Sequence, residues 1–306
     1  MSTRRQKKID VLNRAVVRCT KAIELNPDDA NAYFNRGVAY HKLRMKQAPM
    51  SESFSRKAIA DFSRAIELNP NDAKFYFKRA VIHSGFQKFK EAIDDYTKAI
   101  ELNPIDADAY YERGLVYIWD GQCQEAINDF DKAIELNPEL ADAYSYSGLV
   151  YCQLNQDQKA LENYTKAIEL KSDNPDALDY FCRGNLYYSF GKYKKALDDY
   201  NKSIETEELN FVHVSRGFLY DKVGEYQKAI DDYSKALETL IDNAAYNNRG
   251  FDYARLGQYQ KACDDFYQAG LLYLKYKDKT EALKYIDLMK KFDPTSPLIK
   301  KLMEQL

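Results

Sequence analysis

Adjacent aspartates are the first candidates for acid–base chemistry or cation binding in this chain. The pairs considered are at residues 94–95, 198–199, 231–232 and 264–265. Each pair lies in a segment of helical periodicity, where successive side chains point about 100° apart. The two carboxylates of a pair therefore do not converge on one proton or one cation.

The three histidines are the other candidates for reactive groups. His41, His83 and His213 are far apart, with no nucleophile or metal-ligand spacing around them. His83 and His213 stand where related segments carry aromatic residues, which indicates a packing role. We therefore predict that the protein is not an enzyme and that it needs no metal or cofactor.

A pattern of one arginine and one aspartate recurs more regularly along the chain than the histidines do. The same arginine and aspartate positions recur together in six segments, as Arg36/Asp61, Arg79/Asp95, Arg113/Asp129, Arg183/Asp199, Arg216/Asp232 and Arg249/Asp265. A seventh segment has Ser147 and Asn163 instead, so the two positions change together. A planar guanidinium can bond a carboxylate twice and suits partly buried pairs. We predict an Arg–Asp ladder with one pair per segment; the alternative is an arginine row that binds acidic ligands.

The repeated segment has the spacing of a helix hairpin. AIELNP recurs at 22–27, 65–70, 99–104 and 133–138, and its last three prolines are 34 residues apart. A period of 34 with this punctuation is typical of a helical solenoid. In residues 107–140, spacings of four and three place two sets on facing helix sides: Tyr110, Gly114 and Tyr117, then Ala126, Phe130 and Ala133. The small residues let the helices approach, and the rings fill the remaining space. Gly121 marks the turn, and Pro138 marks the end of the second helix.

These motifs resemble the tetratricopeptide repeat. The resemblance implies an all-α, right-handed superhelical solenoid of antiparallel hairpins, in which the first helices line a concave groove. It divides the chain into an N-terminal half repeat (1–29), seven repeats (30–276), and a partial repeat with a C-terminal capping helix (277–306).

Both ends and one insertion depart from the period. Residues 9–25 have only the pattern of a second helix; either the chain is cut inside a repeat, which we favour, or this helix is a cap. The first full repeat has surplus residues at 44–53, which we expect to form a solvent-exposed loop. Near the end, Ser296 and Pro297 predict a helix start before one apolar stripe of Leu298, Ile299, Leu302, Met303 and Leu306. This stripe is expected to seal the last repeat; a homodimer contact is the alternative.

The resemblance also implies which residues face a ligand. The first-helix face opposite the hairpin core is expected to receive an extended or helical peptide, and packing against the next repeat is the alternative for any one ring. The predicted groove residues are Phe34, Asn35, Lys74, Phe77, Lys78, Tyr111, Leu115, Trp119, Phe181, Asn185, Tyr188, Phe218, Asn247 and Phe251, and the same face includes Asp108, Ile118 and Phe211. Some family members bind chaperone C-terminal carboxylates with a Lys, Asn and Arg clamp. Asn35, Lys74 and Lys78 match only part of that clamp, which argues against the activity.

Composition sets the remaining limits. The net charge is −2 with 30% charged residues, which gives no reason to expect nucleic-acid binding. Five single cysteines, no signal-peptide pattern and no run of 18 apolar residues favour a cytoplasmic protein without a membrane span. The predicted function is a scaffold or adaptor that binds a protein or peptide. The alternatives are a regulatory or targeting module of a larger enzyme or chaperone-associated protein, and an RNA-binding repeat protein.

Overall fold

The computed structural model describes residues 2–47 and 52–306, and all regular structure in these ranges is α-helical. The predicted class, an all-α array of antiparallel helix hairpins, is confirmed. The chain divides into two compact units, Met1–Leu170 and Lys171–Leu306. None of the helices within the described ranges combines the length and apolarity needed to cross a membrane.

The first unit contains one single helix and four hairpins. Its helices are α1 (Ser2–Leu25), α2 (Ala30–Gln47), α3 (Glu52–Leu68), α4 (Ala73–Gly85), α5 (Phe89–Leu102), α6 (Ala107–Trp119), α7 (Cys123–Leu136), α8 (Ala141–Gln153) and α9 (Asp157–Leu170). Each even-numbered helix is the first helix of a hairpin here, and the next odd-numbered helix is the second.

The second unit contains three hairpins followed by two further helices. Its helices are α10 (Ala177–Ser189), α11 (Tyr193–Thr206), α12 (Asn210–Lys222), α13 (Tyr226–Leu237), α14 (Asn243–Arg255), α15 (Tyr259–Lys275), α16 (Lys279–Phe292) and α17 (Pro297–Met303). Helix α15 continues without a break beyond Ala269, and a further helix follows over 279–292.

Each hairpin closes around a ring and a small residue. Phe130 of α7 is fully buried, and a Cβ added to Gly114 of α6 would lie only 2.7 Å from its Cε1 atom. The glycine therefore lets the ring press against the backbone of the first helix. The same contact recurs in four other hairpins, at Gly37–Phe62, Gly184–Tyr200, Gly217–Tyr233 and Gly250–Phe266, and a wider one of 3.2 Å occurs at Gly148–Tyr164.

The turns between the two helices of a hairpin use the left-handed conformation. Gly121 has φ of 77°, and Asn155, which replaces the glycine in the α8/α9 hairpin, has φ of 56°. Asparagine tolerates this region better than most residues. Aspartates such as Asp106 begin the next first helix by accepting a hydrogen bond from a backbone N–H of its first turn.

The structure corrects two boundaries predicted from the sequence. Helix α1 begins at Ser2 rather than residue 9, and the supposed loop at 44–53 is mostly helical, because α2 continues to Gln47 and α3 begins at Glu52. The residues that extend α2, such as Leu43, Arg44 and Met45, are good helix formers, which explains the extension. Residues 48–51 of the predicted loop, including Pro49, lie outside the described residues.

The last helix covers the end of the second unit. Leu302 is fully buried, and one of its methyl carbons lies 2.6 Å from a Cβ built on Gly270 of α15. Leu298, Ile299 and Leu306 pack against the same cluster, whereas Met303 is 52% exposed. Most of the apolar stripe is therefore used within the chain. Pro297 occupies the first turn of α17, but Ser296 makes no side-chain capping bond there.

Candidate functional site

The Arg–Asp ladder is formed in all six hairpins for which it is predicted. Each arginine donates from Nε to one carboxylate oxygen and from Nη2 to the other, over 2.6–2.9 Å. The aspartate side chains are at most 8% exposed, and the arginine side chains are at most 22% exposed. These are charge-assisted, two-bond pairs shielded from water.

The ladder aspartates lie inside the hairpins and not on a binding surface. All six are buried: Asp61, Asp95, Asp129, Asp199, Asp232 and Asp265. Asp199 follows Arg183 by 16 residues, whereas Asp61 follows Arg36 by 25, because the surplus residues of the first repeat separate α2 from α3; both pairs nevertheless have the same two bonds. These aspartates are predicted from the sequence as structural partners of the arginines, and their burial excludes them from direct contact with a ligand.

A third bond ties the arginine to the hairpin or helix before it. Arg113 Nη1 donates to Thr97 Oγ1 of α5 over 2.8 Å, and Arg249 Nη1 donates to Ser234 Oγ of α13 over 2.9 Å. Equivalent partners of Arg36, Arg79 and Arg216 are Thr20, Ser63 and Asn201. These acceptors were not predicted. The signal was a polar residue directly after the second-helix ring position, one repeat earlier than the arginine.

The ladder arginines are fully engaged by the protein itself. Besides its three bonds, Arg113 lies over the rings of Tyr110 and Tyr117, 5.8 and 5.7 Å from their centroids. This arrangement argues against the alternative of an arginine row that binds acidic ligands. In the α8/α9 hairpin, Ser147 is buried and Asn163 Nδ2 instead donates to the Lys159 carbonyl of its own helix.

The predicted groove rings of the first unit are held by buried rings beneath them. Phe34 lies 5.7 Å from Phe62 and 5.0 Å from Phe75, between centroids. Phe77 packs edge-on against Tyr96, and Tyr111 contacts Phe130 and Tyr146. These predicted rings are half-buried. Each ring thus packs against the hairpin core and also shows part of its surface.

Other members of this first-unit face are more exposed. Trp119 is 59% exposed, with its ring 6.4 Å from that of Phe89, and Leu115 is half-buried. The sequence analysis missed Tyr146 and Leu149 of α8, which are 39% and 37% exposed. Leu149 occupies the first-helix position of Leu115 and Asn185 in the neighbouring repeats, and that correspondence could have found it. Tyr146 occupies the position of Lys78, two repeats earlier.

The second unit has a similar face with one small cavity. Phe181 packs against Tyr200 and Phe211, and Phe251 packs against Phe266 and Phe292. A cavity of about 140 Å³ is lined by Asn185, Tyr188, Tyr200, Ser215 and Phe218.

Polar groups give this cavity its character. The Tyr200 hydroxyl donates to Asn185 Oδ1 over 2.7 Å, and the exposed Asn185 side chain also carries two amide N–H donors. Asn247, another predicted groove residue, is half-buried and donates to Asn248 Oδ1. Leu178 and Phe211, both on first helices, are 50% and 39% exposed.

The three residues that match part of a carboxylate clamp lie on two neighbouring first helices. Asn35 of α2 and Lys74 and Lys78 of α4 are all exposed. The Lys78 ammonium lies 4.9 Å from the centroid of the Phe77 ring, within cation–π range.

The histidines and the Asp–Asp pairs, which were the candidates for acid–base or metal chemistry, have structural surroundings. His213 Nδ1 lies 3.0 Å from Asp232 Oδ1, and His83 Nε2 lies 3.8 Å from Asp95 Oδ2. In each Asp–Asp pair the first residue is exposed and the second bonds its arginine. No group of three or more His, Cys, Asp or Glu side chains in the described part of the chain could hold a metal ion.

One buried acid was not anticipated from the sequence. Asp252 of α14 is fully buried and accepts a hydrogen bond from Arg255 Nη1 over 2.6 Å, and Arg255 also pairs with Asp221 of α12. Burial raises the pKa of Asp252 to about 7, and the neighbouring Asp221 carboxylate adds to this shift while Arg255 opposes it.

The raised pKa of Asp252 predicts a pH-dependent stability. The folded chain keeps this proton up to about pH 7, whereas an unfolded aspartate loses it near pH 4. The free energy of unfolding should therefore fall as pH rises between these values. Asp252→Asn should flatten this slope and raise stability at pH 8 by about 1–3 kcal/mol. Urea unfolding at several pH values measures it, and exposed Asp198→Asn, the control, should keep the wild-type slope.

Parts of the chain match models of known protein families. Family models described as "TPR repeat" match residues 12–43, 87–118 and 148–189, and two described as "Tetratricopeptide repeat" match 107–140 and 212–239. Together they match about half of the chain. No curated protein matches it significantly.

Solved structures share the fold. A crystal structure of MamA protein is 28% identical with a TM-score of 0.51, over 58% of this chain and 92% of that chain. A tetratricopeptide repeat protein from Parabacteroides merdae is 20% identical with a TM-score of 0.53, over 87% and 98%. Pseudomonas aeruginosa pilF is 16% identical with a TM-score of 0.50, over 90% and 97%. The last two likenesses concern the fold alone.

Proposed function

Because this chain belongs to the tetratricopeptide repeat family, we propose that it is a non-catalytic interaction scaffold whose first helices bind a protein or peptide segment. The observation that supports this proposal is the set of half-exposed rings on the first helices of each unit, Phe34, Phe77 and Tyr111 in the first unit and Phe181 and Phe251 in the second. Aromatic rings supply large contact areas, and binding orders few of their torsions.

The packing beneath these rings favours binding over simple exposure. Tyr111 is held between Phe130 and Tyr146, and Phe181 is held between Tyr200 and Phe211. A side chain that is already fixed loses little entropy when a ligand covers it. The proposed surface therefore combines apolar area with preorganisation, and the Asn185 amide adds a hydrogen-bonding group to it.

A double variant with one change in each unit tests the proposal. Tyr111→Ala/Phe181→Ala should reduce capture of specific partners from a cell extract by at least about tenfold, because truncating a central ring at an interface costs about 2 kcal/mol or more. Quantitative affinity capture of the wild-type and variant chains is the measurement. Circular dichroism at the capture temperature establishes that both chains remain folded.

The matched control changes apolar residues outside the first helices. Ile105→Ala/Ile241→Ala also alters one residue per unit, at loop positions that are 75% and 73% exposed. This control should capture the same partners as the wild type. Undiminished capture by the Tyr111/Phe181 variant would refute the proposed surface.

A further inference from the structure

One face of α1 is less covered than the same face of the second helices. In those helices the two alanines beside the central ring are almost completely buried by the hairpin's own first helix, as are Ala126 and Ala133 around Phe130. The corresponding residues of α1, Ala15 and Ala22, remain partly exposed around the buried Cys19. Within the described residues, α1 thus has a face for one more helix.

A cavity opens beside this face, between α1 and the C-terminal half of α2. Its volume is about 710 Å³, and its apolar wall is formed by Val11, Leu12 and Met45. Val11 is 55% exposed and Met45 is 67% exposed, which is unusual for large apolar side chains on well-formed helices. A cavity of this size can take several apolar side chains of a ligand.

The rim of the cavity is cationic. It includes Lys7, Lys8 and Lys42, and none of the three forms an ion pair with any described residue. Some lysines elsewhere are paired along their helices, as Lys98 is with Glu101 and Lys132 is with Glu135.

The two helices around the cavity share this positive character. Helix α2 has no acidic residue, and α1 has seven Lys or Arg residues against two acidic ones. His41 also lines the cavity, and burial, with the positive charges of Arg44, Lys78 and Lys42, lowers its pKa. It is therefore neutral near pH 7 and adds no charge of its own to the rim.

We propose that this cavity is a second interaction site, which binds an acidic amphipathic helix of a partner protein. The apolar side chains of that helix enter between Val11, Leu12 and Met45, and its carboxylates pair with Lys7, Lys8 and Lys42. Charge complementarity selects an anionic ligand, and the apolar wall selects against a nucleic acid, which would leave that wall uncovered. The site is separate from the first-helix rings of the proposed function, so either can fail alone.

A designed peptide tests the site directly. The probe is a fluorescein-labelled 13-residue helix, the length of α6, with leucines at helical spacing on one face and glutamates on both flanks. It should bind the full chain with an affinity that weakens as salt is added. Lys7→Glu/Lys8→Glu/Lys42→Glu should weaken binding at least about tenfold. The matched triple variant Lys90→Glu/Lys166→Glu/Lys194→Glu, at exposed positions outside the cavity lining, should bind like the wild type.

Two matched variants on α1 test the apolar wall of the cavity. Val11→Gln should weaken the peptide several-fold, whereas Val17→Gln, which is 66% exposed but away from the cavity, should not. Both positions are exposed, so neither change threatens folding.

Several outcomes would overturn the proposal. They are absence of peptide binding, equal binding of a peptide whose leucines are replaced by serine, and tighter binding of a DNA oligonucleotide or of phosphatidylserine vesicles. Occupation of the cavity by a second copy of the chain, seen as a dimer in sedimentation that Val11→Gln dissociates, would also overturn it.

Discussion

Asp265→Ala is expected to lower the free energy of unfolding of its region by about 3–5 kcal/mol. The substitution removes both carboxylate oxygens from Arg249, whose side chain is only 17% exposed and whose guanidinium keeps a single bond to Ser234. A buried charge that loses its partner incurs most of its desolvation penalty without compensation. Hydrogen exchange across α14 and α15, together with thermal unfolding, measures the loss in the affected hairpin.

The adjacent residue supplies the control for this variant. Asp264 lies on the same helix but is exposed, so Asp264→Ala should change stability by less than about 0.5 kcal/mol. The double variant Arg249→Met/Asp265→Leu should recover most of the stability, since burial raises the pKa of Asp265 even though Arg249 opposes that shift. Equal losses from Asp264→Ala and Asp265→Ala would show that the pair is not structurally important.

Leu302→Ala is the second change with a large expected effect. The side chain is fully buried against Gly270 and Tyr285, and its removal leaves a cavity at the end of the second unit. Truncation of a buried leucine costs about 2–5 kcal/mol. We expect the loss to appear as faster hydrogen exchange in α15 and α16 and as a lower unfolding temperature.

The neighbouring Met303 distinguishes sealing of the core from dimer formation. It is 52% exposed, so Met303→Ala should leave stability nearly unchanged. If the stripe served mainly as a dimer contact, both Leu302→Ala and Met303→Ala would shift the sedimentation of a dimer to that of a monomer. A stable Leu302→Ala chain with altered sedimentation would contradict the sealing role.

The sequence was informative where a physical constraint repeats. The joint replacement at Ser147 and Asn163 allowed the Arg–Asp pairs to be inferred from one chain, because both residues of a pair occur once per hairpin. The hydroxyl or amide acceptors, such as Thr97, escaped notice because they belong to the previous hairpin. Their alignment with the arginine depends on how successive hairpins pack.

The extent to which the Arg–Asp pairs are buried could not be predicted from the sequence either. The pattern paired Asp61 and Asp199 with their arginines, but it could not show that both carboxylates are almost completely covered. The burial of each carboxylate depends on the arginine and on the tyrosine side chains around that arginine. Both belong to the first helix of the hairpin, whereas the aspartate belongs to the second. A polar residue at a repeated position is therefore not evidence of an accessible site.

Features that occur once could not be inferred in this way. Asp221, Asp252 and Arg255 meet only because two first helices of the second unit lie side by side, and no repeat position carries the same three residue types elsewhere. The predicted loop at 44–53 was wrong for a different reason. Polar composition and one proline suggested a loop, but the intrinsic helix preference of residues 43–47 prevailed.

Two consecutive hairpins, α4/α5 and α6/α7, make the same bonds to the hairpin before them. Each begins with an arginine that meets a hydroxyl of that hairpin, Ser63 or Thr97, and each carries its own matching aspartate. Unequal recombination that duplicates or deletes the α4/α5 block would leave every guanidinium with a hydroxyl, since Arg79 would meet Thr97 or Arg113 would meet Ser63. Deletion of α6/α7 would instead place Thr97 next to α8, where Ser147 takes the place of arginine. Whole hairpins can therefore be gained or lost without disrupting these bonds only where the groups match.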